Sequence, residues 1–244
     1  MRDRSPSRRI LITRAAEDSR DWALRLDASG AETIIYPCVV FESLRDAQTS
    51  RKLSRALCDA DWLVVTSRRG VRAVRRLLTP SLPDGVAVAA VGRATAREAR
   101  ERLGRVDLVP DMENAAALGH ALSESLARSG RRSLVVVASG DRAARDLERE
   151  LAPRRVEVAR VIVYRTEPVP PSRRRDDLAS LGVDTVLLAS PSAATGLANR
   201  AIVGPRQRVL SIGPSTTRAA RELGLSVDAE ARRPALEALM ELLR

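Results

Sequence analysis

"LSIGPSTTRAARELG", residues 210–224, reads as an apolar strand, a glycine and a hydroxyl-rich start to a helix, with no lysine in the loop. Upstream, "VAAVGRATAREARERLG" (88–104) repeats the phrase. At such a turn the first backbone N–H groups of the helix are unpaired and the helix dipole adds partial positive charge, so an anion is favoured. Gly213 and Gly92 let a ligand approach the backbone, and Ser215, Thr216 and Thr95 add hydroxyl donors. The same hydroxyls can serve as helix caps, and for any one of them that role stands beside anion binding. Four helix starts share the pattern: "TSRRG" (66–70), "GRAT" (92–95), "ASPSA" (189–193) and "GPSTT" (213–217). "ASGDR" (138–142) is a candidate fifth.

Outward from these turns the chain alternates short apolar runs with stretches of helical period: "RILIT", "SRDWALRLDASG", "ETIIYP", "SRKLSRALC", "DWLVVTS", "GVRAVRRLL", "VAVAAVG", "ATAREARERLG". Strands "LVVVA", "VEVARVIVY", "TVLLAS" and "VLSIG" continue the series. Alternation of this kind predicts parallel sheet with crossover helices, and runs that are apolar throughout predict cover on both faces. The repeat is wider than the opening pair. "DWLVVTSRRGVRAVRRLL" followed by "VAVAAVGRATAREARERLG" matches "DTVLLASPSAATGLANRA" followed by "RVLSIGPSTTRAARELG". More weakly, "RRILITRAAEDSRDWALRLDASGAETIIYP" matches "RRSLVVVASGDRAARDLERELAPRRVEVARVIVYRTEP". Tyr36-Pro37 and the stretch from Tyr164 to Pro168 look like paired crossings between domains. A discontinuous arrangement follows, in which residues 1–36 join 168–244 in one α/β domain and 37–167 form the other, connector strands included. The expected site is the cleft between them, at the carboxyl ends of the parallel strands.

Composition narrows the ligand. The formal charge is +11, carried almost wholly by arginine, with Lys52 the only lysine. Many of these arginines are expected to be solvated helix faces, yet the overall field attracts anions. The aromatic set is Phe41, Trp22, Trp62, Tyr36 and Tyr164, too sparse for a base-stacking platform, and no helix-turn-helix or zinc-finger pattern is present, so nucleic acid is not expected. No run reaches the roughly 18 apolar residues of a membrane span, and "MRDRSPSRRI" lacks a signal-peptide core, so a cytoplasmic protein with no membrane partner is expected. Cys38 and Cys58 have no ligand-like neighbours, which argues against a metal. A Walker loop would need Gly-Lys-Ser/Thr, and no GxGxxG fingerprint occurs. His120, the only histidine, lies within the apolar helix "AAALGHALSESL", which excludes a supported catalytic triad. What remains is a set of weak anion sites suited to a ligand with many carboxylates, each charge-assisted contact contributing about 1.5–3 kcal/mol.

In order and spacing, "ILITR", "DWLVVTSRRGVRAV", "VAAVGRATA", "VIVYRTEP", "LLASPSAATGL" and "LSIGPSTTRAARELG" resemble the uroporphyrinogen-III synthase family over essentially the whole chain. The resemblance implies two flavodoxin-like, doubly wound parallel-sheet domains joined by a two-stranded linker. It implies a lyase that uses no cofactor and converts hydroxymethylbilane, a linear octacarboxylate tetrapyrrole, into uroporphyrinogen III. Ring D is inverted and water is lost, through a spiro intermediate, in a step toward haem, sirohaem and cobalamin. Hand-over of substrate from hydroxymethylbilane synthase is a possible partnership.

Tyr164 of "VIVYRTEP" matches the family's connector tyrosine and is the candidate general acid; packing at a strand end is its other reading. The substrate-binding candidates are Arg14, Thr66, Ser67, Gly92, Thr95, Ser139, Ser190, Ser192, Gly213, Ser215 and Thr216. Thr217 stands where the family often has alanine. Two other classes stay open: a non-catalytic tetrapyrrole-binding or regulatory homologue, and a sugar- or phosphate-binding protein with two α/β lobes. A monomer is expected, because no heptad pattern or long exposed apolar strand calls for a partner.

Overall fold

The computed structural model describes residues 8–78, 81–127, 133–154 and 156–244. Residues 1–7, which carry most of the signal-peptide argument, and Arg131, Arg132 and Arg155 of the weaker repeat lie outside the described residues. The chain opens with β1 (Arg9–Ile12), α1 (Ala16–Ala28), β2 (Glu32–Ile35) and β3 (Val39–Ser43). It continues through α2 (Ala47–Cys58), β4 (Trp62–Val65), α3 (Arg68–Leu77), β5 (Ala87–Ala90), α4 (Arg93–Leu103) and α5 (Ala115–Ala127). Next come β6 (Ser133–Gly140), α6 (Asp146–Leu151) and the long β7 (Val156–Pro168). The last third holds β8 (Asp176–Asp177), β9 (Thr185–Leu188), α7 (Pro191–Arg200), β10 (Ala201–Ile202) and β11 (Arg208–Ser211). It closes with α8 (Pro214–Glu222), β12 (Ala229–Glu230) and α9 (Leu236–Glu241). None of the described helices is long and apolar enough to cross a membrane.

Two compact units result: residues up to Phe41 together with Thr166–Arg244, and Glu42–Arg165. The divisions fall inside β3 and β7, a few residues from the expected breaks at 36/37 and 167/168. In the first unit the strands lie in the order β12-β11-β9-β1-β2, each neighbouring pair parallel. In the second the order is β3-β7-β6-β4-β5, and β7 through β5 are parallel.

Alternate residues of each strand enter opposite layers, which is why the strands read as unbroken apolar runs. In the first unit Leu11, Val186 and Leu188 pack with Ala193 and Leu197 of α7, whereas Ile10, Ile12 and Leu187 pack with Trp22 and Leu26 of α1 and Leu239 of α9. In the second, Leu63, Val65 and Val136 meet Val71, Val74 and Ala96 of α3 and α4, while Val64, Val135 and Val137 meet Leu118, Leu122 and Leu147 of α5 and α6.

The repeat reaches single hydrogen bonds. Asp61 ahead of β4 accepts the Leu134 N–H at 2.9 Å, and Asp184 ahead of β9 accepts the Arg9 N–H at 2.8 Å. Asp107 and Asp228 likewise accept from Val88 and Val209, each at 2.7 Å. Matched carboxylates thus satisfy amides in the first two residues of matched strands, at equivalent places in both units.

Two sequence expectations need correction. The run "VVFES" stands outside the strand series read from the sequence, yet β3 pairs with β7 at the sheet edge. The Leu44 N–H donates to the Val163 carbonyl and the Val169 N–H to the Cys38 carbonyl, so as one strand advances the other retreats and the pair is antiparallel. Nor does a helix begin at "ASGDR": β6 runs to Gly140, a turn follows, and α6 starts at Asp146. Arg160 holds this turn out of helical shape by donating to the Ala143 and Ala144 carbonyls at 3.3 and 3.0 Å.

Tyr36, just past β2, is buried; its hydroxyl donates to Asp176 at 2.7 Å, and Arg200 stacks over its ring at 4.7 Å. Burial first, then the bond to Asp176, raises its pKa well above the ordinary tyrosine value. Tyr36→Phe is expected to cost about 1–2 kcal/mol in chemical denaturation, the usual worth of such a bond, and to leave turnover within twofold.

Helices α3 and α4 are tied through Glu98, which accepts from Arg72 at 2.9 and 3.2 Å and also from Arg102. The Arg72 bond, with help from Arg102, holds the Glu98 carboxyl at about 2, below its ordinary 4.5. A depressed folded pKa contributes stability above about 4.5 that is lost as pH falls through about 2. Glu98→Gln is therefore expected to destabilise by about 1–3 kcal/mol at pH 7, with the gap to the parent closing toward pH 2 in denaturant titrations.

Candidate functional site

Because the strands that precede these helices run parallel within each sheet, the helix starts gather at one edge. In the second unit these are the starts of α3 after β4 and α4 after β5; in the first, those of α7 after β9 and α8 after β11. The order in which strands are added reverses between β6 and β4 in one sheet and between β1 and β9 in the other, and at such switch points the connections diverge to leave a crevice.

At the switch point of the second unit, Ser67 caps α3 in extended backbone (φ −158°), its Oγ accepting the Gly70 N–H at 3.0 Å. The same Oγ lies 3.3 Å from the hydroxyl of Tyr164. Thr66, half-buried, precedes it at the end of β4. A β-bulge aims the tyrosine. Ser139 pairs with Ile162 but Gly140 pairs with Tyr164, leaving Val163 as the extra residue of β7. Before the bulge, Val156 and Val158 face α5 and α6; after it, Tyr164 packs on the layer shared with α3. An inserted residue reverses the alternation of side chains, and that reversal turns Tyr164 toward Ser67. The ring also lies flush against Gly140, where an added Cβ would stand 2.6 Å from the ring's Cζ.

Chemically the pair can move a proton. With Gly70 N–H already on its oxygen, Ser67 can donate its own proton to the phenolic oxygen, so that the Tyr164 O–H proton can pass to a leaving group. The positive end of α3 would stabilise the phenolate that forms.

The other predicted residues fall into distinct environments. Ser139 is fully buried and accepts from Arg160 at 2.8 Å, so its hydroxyl belongs to the scaffold of the bulge. Thr95 is buried in the first turn of α4. Gly92 caps that helix in extended backbone, but the Glu113 carboxylate already fills its open side: Arg93 N–H donates to it at 3.2 Å, and a Cβ on Gly92 would lie 2.8 Å from its carboxyl carbon. Gly213, the counterpart at α8, has nothing within 4 Å of where its Cβ would be. The repeated phrase has thus given one cradle filled by the chain's own carboxylate and one left open.

In the first unit Ser190 caps α7 through the Ala193 N–H at 3.1 Å. Ser192 and Thr216 are buried, whereas Ser215 is exposed at the tip of α8. Arg14 lies just beyond β1 with its guanidinium 4.6 Å over the Trp22 ring. Sequence reasoning missed Gly140, Glu113 and Arg160; the first is a lone glycine in "VVVASGDR", and the last is one arginine among dozens.

A cavity of about 650 Å³ sits at the opposite, amino-terminal edge of the second unit's sheet, lined by Cys58, Asp59, Asp61 and Glu157 among others. Its carboxylates would repel a polyacid, and no helix start faces it, so the chemistry is assigned to the other edge. Among the described residues no group of three or more His, Cys, Asp or Glu is placed to hold a metal. His120 is exposed on α5, 3.8 Å from Glu124.

Comparison with known proteins finds similar sequences and a similar fold. The family described as Uroporphyrinogen-III synthase HemD matches residues 20–241. A uroporphyrinogen-III synthase of Synechococcus elongatus is 31% identical over 105 residues, a stretch that is 41% of this chain and 40% of that relative's length. A putative uroporphyrinogen-III synthase of Methanothermobacter thermautotrophicus is 28% identical over 236 residues, 89% of this chain and 90% of that protein. Among solved structures, a uroporphyrinogen-III synthetase of Helicobacter pylori aligns with TM-score 0.55 at 16% identity, covering 97% of this chain and 98% of that one. A mutant uroporphyrinogen III synthase of Thermus thermophilus aligns with TM-score 0.53 at 17% identity, covering 98% of both chains. These structural likenesses establish a shared mixed α/β fold with parallel sheets.

Proposed function

Because this chain belongs to the uroporphyrinogen-III synthase family, we propose that it closes hydroxymethylbilane into uroporphyrinogen III, with Tyr164 as the general acid. The observation that carries the reading is the Ser67–Tyr164 pair, 3.3 Å apart at the head of α3. The phenol gives its proton to the departing hydroxyl as the C–O bond breaks; water leaves and an azafulvene cation remains, stabilised by its electron-rich pyrroles. The substituted carbon of ring D, which carries no hydrogen, attacks that cation to give the spiro intermediate; its original bond to the neighbouring methylene then breaks, the free α-carbon of ring D attacks the methylene cation so released, and the proton this carbon loses restores the phenol. Holding the linear chain so that attack falls at the substituted carbon of ring D is then a matter of orientation.

Thr66, Ser67 and Thr95 of the second unit, and Arg14, Ser190, Ser192, Gly213, Ser215 and Thr216 of the first, are proposed as contacts to substrate carboxylates; at Gly92 the Glu113 carboxylate already occupies the helix start, so a substrate carboxylate would have to displace it. Ser139 is reassigned to support of the site. Each unit is read as a flavodoxin-like domain. In support, β2-β1-β9-β11-β12 is the 2-1-3-4-5 order of that fold, and β7-β6-β4-β5 repeats it with Leu108 bridging to Ala89 beyond β5. Strands β3 and β7, which both contain the unit boundary, are proposed as the two-stranded linker. A cytoplasmic monomer that receives substrate from hydroxymethylbilane synthase completes the reading, and the unbridged Cys38 and Cys58 suit a reducing compartment.

Incubation with freshly generated hydroxymethylbilane, followed by separation of product isomers, tests the function. The protein is expected to yield mainly type III. Type I alone, which forms spontaneously, would leave a binding homologue in its place.

A further inference from the structure

Arg160 is among the most heavily engaged side chains of the second unit, and nothing in the reaction itself calls for it. Its side chain is 15% exposed. It donates to the Ser139 hydroxyl at 2.8 Å, to the carbonyls of Ala143 and Ala144, and to Glu148 of α6. Burial alone would raise the Glu148 carboxyl, but the Arg160 bond and the surrounding donors bring its pKa below the ordinary value, so the pair is ionised. A half-buried arginine that spends its donors on two backbone carbonyls and a hydroxyl is fixing a loop, since each of those acceptors would otherwise face solvent or go unmet.

The loop it fixes is the one behind the catalytic tyrosine. Ser139 is the last residue of β6 in regular register, and the slip between Ser139 and Gly140 is what sets Val163 as the extra residue and turns Tyr164 toward Ser67. Immediately after the slip, the Asp141 N–H donates to the Tyr164 carbonyl at 3.1 Å. Arg160 therefore grips both sides of the bulge, Ser139 before it and Ala143 and Ala144 after it, from the strand that carries Tyr164.

We propose that Arg160, braced by Glu148, is a positioning residue that holds the β6/β7 bulge and thereby keeps the Tyr164 hydroxyl on Ser67. The inference rests on Tyr164 acting as the general acid. Without the brace the slip is no longer pinned, the ring samples orientations away from Ser67, and proton transfer slows although substrate carboxylates are bound as before.

The test is a double-mutant cycle read by steady-state kinetics with hydroxymethylbilane. Arg160→Met is expected to lower kcat by about tenfold with KM within twofold, and Arg160→Lys to recover part of the loss. In a Tyr164→Phe background, Arg160→Met is expected to cost less than twofold more. Full multiplication of the two losses, or a loss confined to KM, would overturn the proposal. Wild-type turnover in Tyr164→Phe alone would remove its premise, an outcome visible before the cycle is closed. Should Arg160→Met not fold, Ser139→Ala deletes the bulge contact while changing one buried atom. A lowered kcat with KM unchanged then supports the brace, and an unchanged kcat contradicts it.

Discussion

Gly140→Ala is expected to lower turnover by about 100-fold while the protein stays folded. The new Cβ would lie 2.5 Å from Cε2 of Tyr164, 2.6 Å from Cζ and 2.9 Å from the hydroxyl. Carbon atoms pack at about 3.5–4.0 Å, so the ring must move by roughly 1 Å. Its packing on the core layer that holds Val161, Val163 and residues of α3 limits where it can go. The hydroxyl is the part that swings, and the 3.3 Å approach to Ser67 is lost. A misplacement of about 1 Å at a reacting group can cost 10²-fold, whereas a single extra methyl group against a half-buried ring costs about 1–3 kcal/mol of stability. Kinetics alongside a thermal melt separate the two: turnover down about 100-fold with the melting temperature lowered by only about 2–12 °C is the expected pattern.

Gly196→Ala is expected to have the reverse signature and the largest stability effect in the molecule. Gly196 lies mid-way along α7, in the first unit, and its Cα faces the Cys38 peptide. An added Cβ would come within 2.7 Å of the Cys38 carbonyl carbon and nearer still to its oxygen. Here the obstacle is backbone, and that backbone is committed: the Cys38 carbonyl accepts the Val169 N–H and the Cys38 N–H donates to the Thr13 carbonyl. Relief requires α7 to back away from the layer formed by Leu11, Val186 and Leu188. Overpacking against side chains costs about 1–3 kcal/mol, and against fixed backbone the loss should reach at least the top of that range. Denaturant titration would show it, and a stability within 1 kcal/mol of the parent would mean the helix has room that the geometry denies.

These effects also mark what the sequence could and could not reveal. Parallel strands were legible because burial on both faces leaves runs such as "LVVV" and "VLL" without a polar residue. The helix starts were legible because Ser67, Ser190, Gly92 and Gly213 follow such runs directly. By contrast β3 alternates, with Val39 buried and Val40 exposed, and only an antiparallel neighbour from far along the chain makes it a strand. The bulge was invisible, since a register slip is a property of two strands and neither "VVVASG" nor "VIVYRT" carries it alone. In the sequence Ser139 therefore looks like one more hydroxyl at a helix start. Likewise Gly92 and Gly213 read alike, and the difference between them is a carboxylate supplied by Glu113, distant in sequence. Tyr36 and Tyr164 both close apolar runs in the sequence, yet one is buried against Asp176 and Arg200 and the other meets the cap of a helix.

That contrast supplies the most direct measurement. Turnover of hydroxymethylbilane to the type III product is to be compared in Tyr164→Phe and Tyr36→Phe, each removing one hydroxyl from an otherwise intact ring. The account predicts a fall of about 10²-fold in kcat for Tyr164→Phe, at the lower end for a general acid because the substrate helps expel its own hydroxyl, and near-parental turnover for Tyr36→Phe. Parental turnover in Tyr164→Phe would contradict it.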